Sequence, residues 1–278
     1  MDAGDDGALE KLLDQHGPFD AVMHFAAYLS VKESVEQPLR YYDNNVAAAR
    51  NLIQQAVRHG VRAFLLSSSA AVYGAPERQP IAEDVPLEPL NPYGASKAMV
   101  ERMLADVERA HGMRFAALRY FNASGADPGG GLGETHDPET HLIPLALEAC
   151  AGLREAVVLY GTDYPTRDGT CIRDYIHVTD LAEAHVRALE ALLAGHSGGA
   201  YNLGTGRGYT NREVLAAVER VVGRPLPLQL GSRRPGDPAA LVADATRFCT
   251  EFGFQARHSD LDTIVETAWA WLKEWRQL

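Results

Sequence analysis

Asn91-Pro-Tyr93-Gly-Ala-Ser-Lys97 opens a helix, and upstream of it the apolar run Ala63-Phe-Leu-Leu66 ends in Ser67-Ser-Ser69. In a helix Tyr93 and Lys97 share one face, one turn and ~6 Å apart along the axis. A free phenol, with a pKa of about 10, is a poor base at neutral pH. A nearby ammonium stabilises the phenolate and lowers that value. Ser69 could place a hydroxyl beside the same phenol. Taken alone, the pair is also an ordinary surface spacing, so the surrounding segments decide the reading.

Outward from this stretch, short apolar runs alternate with helical patterns. Residues 6–16 read as a helix broken at Gly17-Pro18. Ala21-Val-Met-His-Phe25 reads as a buried strand, 42–59 as a helix ending at Gly60, and Phe64-Leu-Leu66 as the next strand. A loop carrying Pro76, Pro80, Pro86 and Pro89 follows. The Tyr93 helix runs to His111 and stops at Gly112, before a strand at Phe115–Arg119. This alternation predicts a parallel sheet with helices on both faces. From Ala123 to Gly133 the chain is rich in Gly and Pro, as a loop over a binding site often is. A helix at 141–152 and a strand at Val157–Tyr160 come next. Asp180 with Glu183, and Thr210 with Glu213, read as capping boxes for helices at 181–193 and 214–222. A last helix, 261–275, carries Trp269, Trp271 and Trp275, read as packing residues.

The chain has 278 residues, 46% of them hydrophobic and 23% charged, which suits a globular protein of one large or two interlocked domains. A formal charge of -11 argues against a surface that tracks nucleic-acid phosphates. The three cysteines, Cys150, Cys171 and Cys249, are too few and too far apart for a disulfide framework, which fits a reducing cytoplasm. No apolar run approaches the roughly 18 residues of a membrane span, and the N-terminus lacks the basic and apolar regions of a signal peptide. His24 reads as a structural histidine at a strand end. His136, His141 and His177 carry no expectation of a metal.

Other motifs sit in order along the chain: His24-Phe-Ala-Ala27, Tyr41-Tyr-Asp-Asn-Asn45, Ser67-Ser-Ser-Ala-Ala-Val-Tyr-Gly74 and Arg119-Tyr-Phe-Asn122. Further on come Arg173-Asp-Tyr-Ile-His177, Tyr201-Asn-Leu-Gly204 and Arg233-Arg-Pro-Gly-Asp237. With these the chain resembles the extended short-chain dehydrogenase/reductases, and among them the UDP-glucose 4-epimerases, over nearly its whole length. The resemblance implies an α/β fold: a Rossmann-type doubly wound parallel sheet with a smaller α/β substrate domain. Residues 1–122, with 174–207 returning, would form the dinucleotide domain; 123–173 and 208–278 would form the substrate domain. It also implies NAD, a UDP-sugar substrate, a homodimer, a cytoplasmic setting, and a role in galactose and polysaccharide-precursor metabolism.

By the same resemblance Tyr93, as phenolate, takes the proton of the sugar 4-hydroxyl. Lys97 lowers the Tyr93 pKa and bonds the nicotinamide ribose, and Ser69 orients the 4-oxygen. The implied cofactor contacts are Asp5, Phe25, Ala26, Ala27, Asn44, Ser67, Tyr93, Lys97 and Phe121. Leu29 stands where the family often has Lys, and Asp6 where it has an aliphatic residue. Asn122, Arg173, Arg234 and Asp237 match the UDP end, where the planar fork of Arg suits a pyrophosphate. Tyr160 falls at the uracil, and His141-Leu142 replaces the family's Asn-Leu pair, with a contact that is pH-sensitive near neutrality. Leu241 stands where a larger ring excludes N-acetyl groups, which implies room for UDP-N-acetylglucosamine.

A dinucleotide fold opens with a strand, a Gly-rich turn and a helix, and these residues do not open so. Gly204-Thr-Gly206-Arg-Gly208 comes late and reads as a loop. The resemblance starts the chain near the third strand, with roughly fifty residues upstream, since one βαβ unit alone needs ~30. Ala21–Phe25 is then an apolar sheet edge, and the chain is predicted to be poorly soluble and to purify without NAD. A sugar-nucleotide 4,6-dehydratase is disfavoured, because Ala70 and Ala71 occupy the place of its acid–base pair. A 4-epimerase of another UDP-sugar (N-acetylhexosamine, pentose or uronate) remains an alternative, as does a UDP-sugar-binding fragment without activity.

Overall fold

The apolar runs at residues 21–24, 63–69 and 114–120 lie side by side as parallel strands. The computed structural model describes residues 3–234 and 236–278; Met1, Asp2 and Pro235, the last within the Arg233–Asp237 motif, lie outside the described residues. In chain order the elements begin with α1 (Asp6–His16), β1 (Ala21–His24), α2 (Val31–Glu36), α3 (Pro38–Tyr42), α4 (Ala48–Arg58), β2 (Ala63–Ser69), α5 (Pro92–His111), β3 (Arg114–Tyr120) and β4 (Asn122–Ser124). They continue with α6 (Leu142–Cys150), β5 (Val157–Tyr160), β6 (Ile172–His177), α7 (Val178–Leu193), β7 (Gly199–Leu203), β8 (Gly208–Thr210) and α8 (Asn211–Val222). The last are β9 (Leu228–Gly231), β10 (Ala240–Leu241), α9 (Thr246–Phe252) and α10 (Leu261–Arg276).

The main sheet has the order β1-β2-β3-β7 and is parallel throughout, with Leu65 beside Ala116 and Ser69 beside Tyr120. Both of its faces are covered, so β2 is one continuous buried run. Helices α4 and α5 bring Ile53, Val100 and Leu104 against Phe64, Leu66 and Phe115. On the other face Leu181, Leu192 and Phe248 meet Leu65, Leu118 and Tyr201. A second sheet, β10-β6-β4, has β8 antiparallel to β6, and β5 pairs with β9 apart from it. A third cluster of buried residues joins α6, α8 and α10. Among the described residues β1 is an edge of the main sheet, as the resemblance implies.

Several local expectations change. β2 runs through its three serines, because Ser68 donates to the Glu101 carboxylate (2.5 Å) and Ser67 bonds the Tyr120 hydroxyl. The helix expected from Tyr42 to His59 contains a π turn over Asp43–Ala47. Helix α7 starts at Val178 and is capped by the His177 ring, which accepts from the Thr179 amide (3.0 Å); Asp180 is no cap. The buried Asp180 carboxylate instead accepts from the Arg257 and His258 amides (3.0 and 2.9 Å) and the Ser259 hydroxyl (2.5 Å). The Thr210/Glu213 capping box forms as predicted, with both bonds present. Trp269 packs against the third cluster, and the Trp271 indole donates to the Glu134 carbonyl (2.8 Å).

Arg119 on β3 and Glu101 on α5 form a salt bridge with both side chains only 6% exposed. Arg119 also donates to the Tyr73 hydroxyl (2.7 Å), which donates to Asn202 on β7 (2.8 Å). Removing one partner of a buried pair leaves the other charge uncompensated, at a cost of about 3–5 kcal/mol. Glu101→Leu is therefore expected to lower the unfolding free energy in urea by that amount. A change under ~1 kcal/mol would show that Arg119 finds compensation elsewhere.

Candidate active site

Three elements bring the Ser, Tyr and Lys together at the carboxyl end of the main sheet, the end where open α/β sheets bind ligands. β2 ends at Ser69, whose hydroxyl accepts from the Ala71 amide (3.2 Å) and starts a tight turn over Ala70–Tyr73. Helix α5 starts just beyond: Asn91 caps it by accepting from the Gly94 amide (2.9 Å), and Pro92 holds its first turn. A side chain at Gly94 would come within 2.4 Å of the Ala71 carbonyl oxygen, so only glycine lets α5 approach the turn this closely. That approach sets Tyr93 near Ser69. Lys97 lies one turn on, with Nζ 5.9 Å from the Tyr93 ring centre.

The electrostatics differ from the expectation. Lys97 donates to the Ser67 carbonyl oxygen (2.7 Å), and burial outweighs every charge in setting the Tyr93 pKa. Burial pushes the Tyr93 phenol up to about 12; a hydrogen bond from Ser69 opposes the shift and Tyr120 adds to it. Burial also pushes Lys97 down to about 8, against the pull of Glu101.

The segments expected to hold a cofactor flank this group. Phe25, 55% exposed, Ala26 and Ala27 follow β1. Asn44 lies in the π turn and donates to Asn45 (2.9 Å). The Phe25 ring is 4.8 Å from that of His185, whose Nε2 is buried without a hydrogen-bond partner among the described residues. A buried polar atom of this kind marks a place for a ligand or ordered water, and small residues beside it allow close approach. Asp5 acts locally, since its carboxylate caps α1 by accepting from the Ala8 amide (3.0 Å).

The residues expected on the substrate side come from the second sheet and the loops around it. Leu241, and with it Phe121, which was expected at the cofactor, packs against the cluster of Ala70, Val72, Tyr73 and Ile81. Leu241 is in register with Arg173, which forms a salt bridge to Asp237. The Arg234 guanidinium lies 4.1 Å over the Tyr160 ring. Asn122 donates to the Asp174 carbonyl (2.9 Å). His141 and Leu142 start α6, away from that cluster in sequence. His141 is not poised near neutrality: hydrogen bonds to Glu134 and Glu139 raise its pKa to about 10 and keep it charged.

The NAD dependent epimerase/dehydratase family matches this sequence over residues 1–204. The chain belongs to that family. A UDP-glucose 4-epimerase of Azospirillum brasilense is 49% identical over 276 residues, covering 99% of this chain and 79% of that protein. The solved UDP-glucose 4-epimerase of Brucella ovis in complex with NAD is 50% identical, covering 97% of this chain and 83% of that one, with a TM-score of 0.94. That of Bifidobacterium longum in complex with NAD+ and UDP is 39% identical, covering 99% and 82%, with a TM-score of 0.93.

Within this member of the family, two residues that the motif reading does not assign hold the site's walls. Asn45 clamps the loop after β1: it accepts from the Tyr28 amide (2.8 Å), donates to the Tyr28 carbonyl (3.0 Å) and bonds Ser96 on α5 (3.2 Å). Its neighbour Asn44 draws attention to the pair, but only the fold reveals which amide turns inward. Asp174, fully buried, accepts from the amides of Thr205 and Gly206 (both 2.9 Å) and Ala243 (3.1 Å). The late glycine run is thus a loop wrapped on an internal carboxylate.

His24, at the end of β1 and 7% exposed, has its pKa lowered to about 4, first by burial and then by the Lys97 charge. It is neutral in the folded protein, whereas the unfolded chain takes up its proton near 6.5. The stability this contributes is present above pH 6.5 and is lost as pH falls towards 4. The loss across that window is on the order of 3 kcal/mol. Measured by denaturation from pH 4 to 7, His24→Gln is expected to flatten the acid side of the stability curve; an unchanged slope would mean that His24 is charged when folded.

Proposed function

We propose that this protein interconverts UDP-glucose and UDP-galactose with NAD as its resident cofactor. One observation carries the reading: Ser69 at the end of β2 and Tyr93 and Lys97 on the first turns of α5 come together at the carboxyl end of the main sheet, with Lys97 Nζ 5.9 Å from the Tyr93 ring centre. The relatives solved in complex with NAD, and with NAD+ and UDP, support the same ligands here. When bound, NAD supplies a reversible hydride acceptor that no side chain can replace. Phe25, Ala26, Ala27, Asn44, Ser67, Lys97 and Phe121 would hold it; Asp5 keeps one carboxylate oxygen on the α1 cap and would turn the other towards the adenine end. The exposed Phe25 and the unpartnered His185 Nε2 fit such a ligand.

In this reading Tyr93 takes the proton of the sugar 4-hydroxyl and returns it after C4 has been oxidised and the 4-keto sugar turned over. Ser69 fixes the 4-oxygen beside the phenol. Burial opposes the phenolate, so its charge must be balanced; Lys97, ionised below about pH 8, is the cation one helical turn away. Arg173 and Arg234 would take the diphosphate and Tyr160 the uracil. Asn122, His141, Leu142, Asp237 and Leu241 would line the rest. The division into 1–122 with 174–207, and 123–173 with 208–278, is supported by separate clusters around the main sheet and around α6, α8 and α10, except that Phe248 and Phe254 pack on the main sheet, so residues 246–254 go with the first unit. A cytoplasmic setting fits three free thiols; no described helix is long and apolar enough to cross a membrane.

Purified protein supplied with NAD and UDP-galactose is expected to form UDP-glucose. Tyr93→Phe should cut turnover by about 10²–10⁴-fold without altering the circular dichroism spectrum. Absence of conversion by the unaltered protein would remove the reading; normal turnover by the variant would remove Tyr93 as the base. UDP-N-acetylglucosamine belongs in the same assay, because Leu241 leaves a smaller side chain on the wall beside Arg173.

The reading includes a homodimer. Tyr42, Val46, Ala47, Met99 and Met103 line an open, mainly apolar hollow where the end of α3 and the π turn lie beside α5. A second copy could cover it with the same residues about a twofold axis. Met99, 46% exposed, sits on that face. Light scattering is expected to give a dimer that Met99→Glu converts to a monomer; a monomeric unaltered protein would remove this part of the proposal.

A further inference from the structure

The loop between the two halves of the chain carries two acid-x-His units, Glu134-x-His136 and Glu139-x-His141. One donor atom from each of these four residues lies within 4.8 Å of every other. His136 Nδ1 and His141 Nδ1 both approach the same Glu134 oxygen, at 2.5 and 2.6 Å, and His141 Nδ1 is 3.0 Å from a Glu139 oxygen. The two imidazole rings are 5.2 Å apart, tilted by 43°. The structure assigns a binding site for a divalent transition-metal ion to Glu134, His136, Glu139 and His141, a site that does not depend on the UDP-sugar reading and that departs from the expectation of no metal.

The donor chemistry selects the ion class. When they ligate, two imidazoles are neutral and two carboxylates carry two negative charges, which a divalent cation balances as it displaces the proton that His141 otherwise holds. Mixed nitrogen and oxygen donors suit zinc and its neighbours, whereas calcium and magnesium take oxygen alone. Bonds of about 2.0–2.2 Å would space tetrahedral donors about 3.3–3.6 Å apart. The present spacing brackets those values, so small side-chain movements would complete the shell. The backbone beneath is anchored from both sides. Trp271 donates to the Glu134 carbonyl (2.8 Å), and a side chain on the preceding Gly133 would come within 2.2 Å of the Trp271 ring. At the other end His141 leads straight into α6. Glu139 also accepts from the Thr140 and His141 amides (2.6 and 2.7 Å), which orients its carboxylate. The side chains of His136 and His141 are 41% and 46% exposed, so an ion can enter from solvent and keep a water ligand.

The test is zinc binding by the whole protein after removal of metals with a chelator. Calorimetric titration with zinc chloride is expected to show one strong equivalent, and cobalt(II) is expected to give visible bands of a low-coordinate nitrogen–oxygen site. His136→Ala and Glu139→Gln, both at loop positions, should each weaken zinc binding at least about tenfold and abolish the cobalt bands. Magnesium at the same concentration should not compete. Failure of the protein to bind zinc, or binding that both variants leave unchanged, would overturn the assignment and leave the cluster as a pair of histidine–glutamate ion pairs.

Discussion

A buried charge pair sets the frame of the site. Glu101 on α5 grips Arg119 on β3, and Ser68 on β2 donates to the same carboxylate. In the low-dielectric interior such a pair tolerates little displacement, because each ion depends on the other for its solvation. Helix α5 is therefore held in axial position relative to two strands. Tyr93 and Lys97 ride on its first turns, while Ser67 and Ser69 ride on β2. The relative placement of phenol, ammonium and hydroxyl follows from an interaction that itself touches no substrate. Gly94 complements it sterically by letting the helix start reach the turn after β2.

The fold is legible in the sequence where pattern and period agree. The alternation of apolar runs and helices predicts the parallel sheet, and the Thr210/Glu213 signature predicts the capping box, although the helix starts at Asn211, three residues earlier than expected. The Asp180/Glu183 signature fails although it has similar chemistry. There a buried histidine cap precedes the aspartate, whose carboxylate is used across the fold by residues 257–259. Short strands of the second sheet, such as β4 and β10, escape prediction, since two or three residues carry no periodicity of their own.

The site is readable as residue identity more than as electrostatics. Ser69, Tyr93 and Lys97 cluster as the spacing and the resemblance imply. The sign of the phenol's shift does not follow from spacing, because burial acts on Tyr93 more strongly than a lysine whose ammonium is held by a carbonyl. His141 likewise reads as a near-neutral titrating group until the fold brings its two glutamates into contact with it. Long-range neighbours decide such shifts, and a linear motif does not record them.

Asp174 gathers amides from two distant segments, 205–206 and 243, while its own backbone carries on from Arg173 and accepts from Asn122. It works as a single internal rivet through three layers of chain. The rivet couples the strand that carries Arg173 to the segment that follows Leu241, so a change at position 174 would be felt at both.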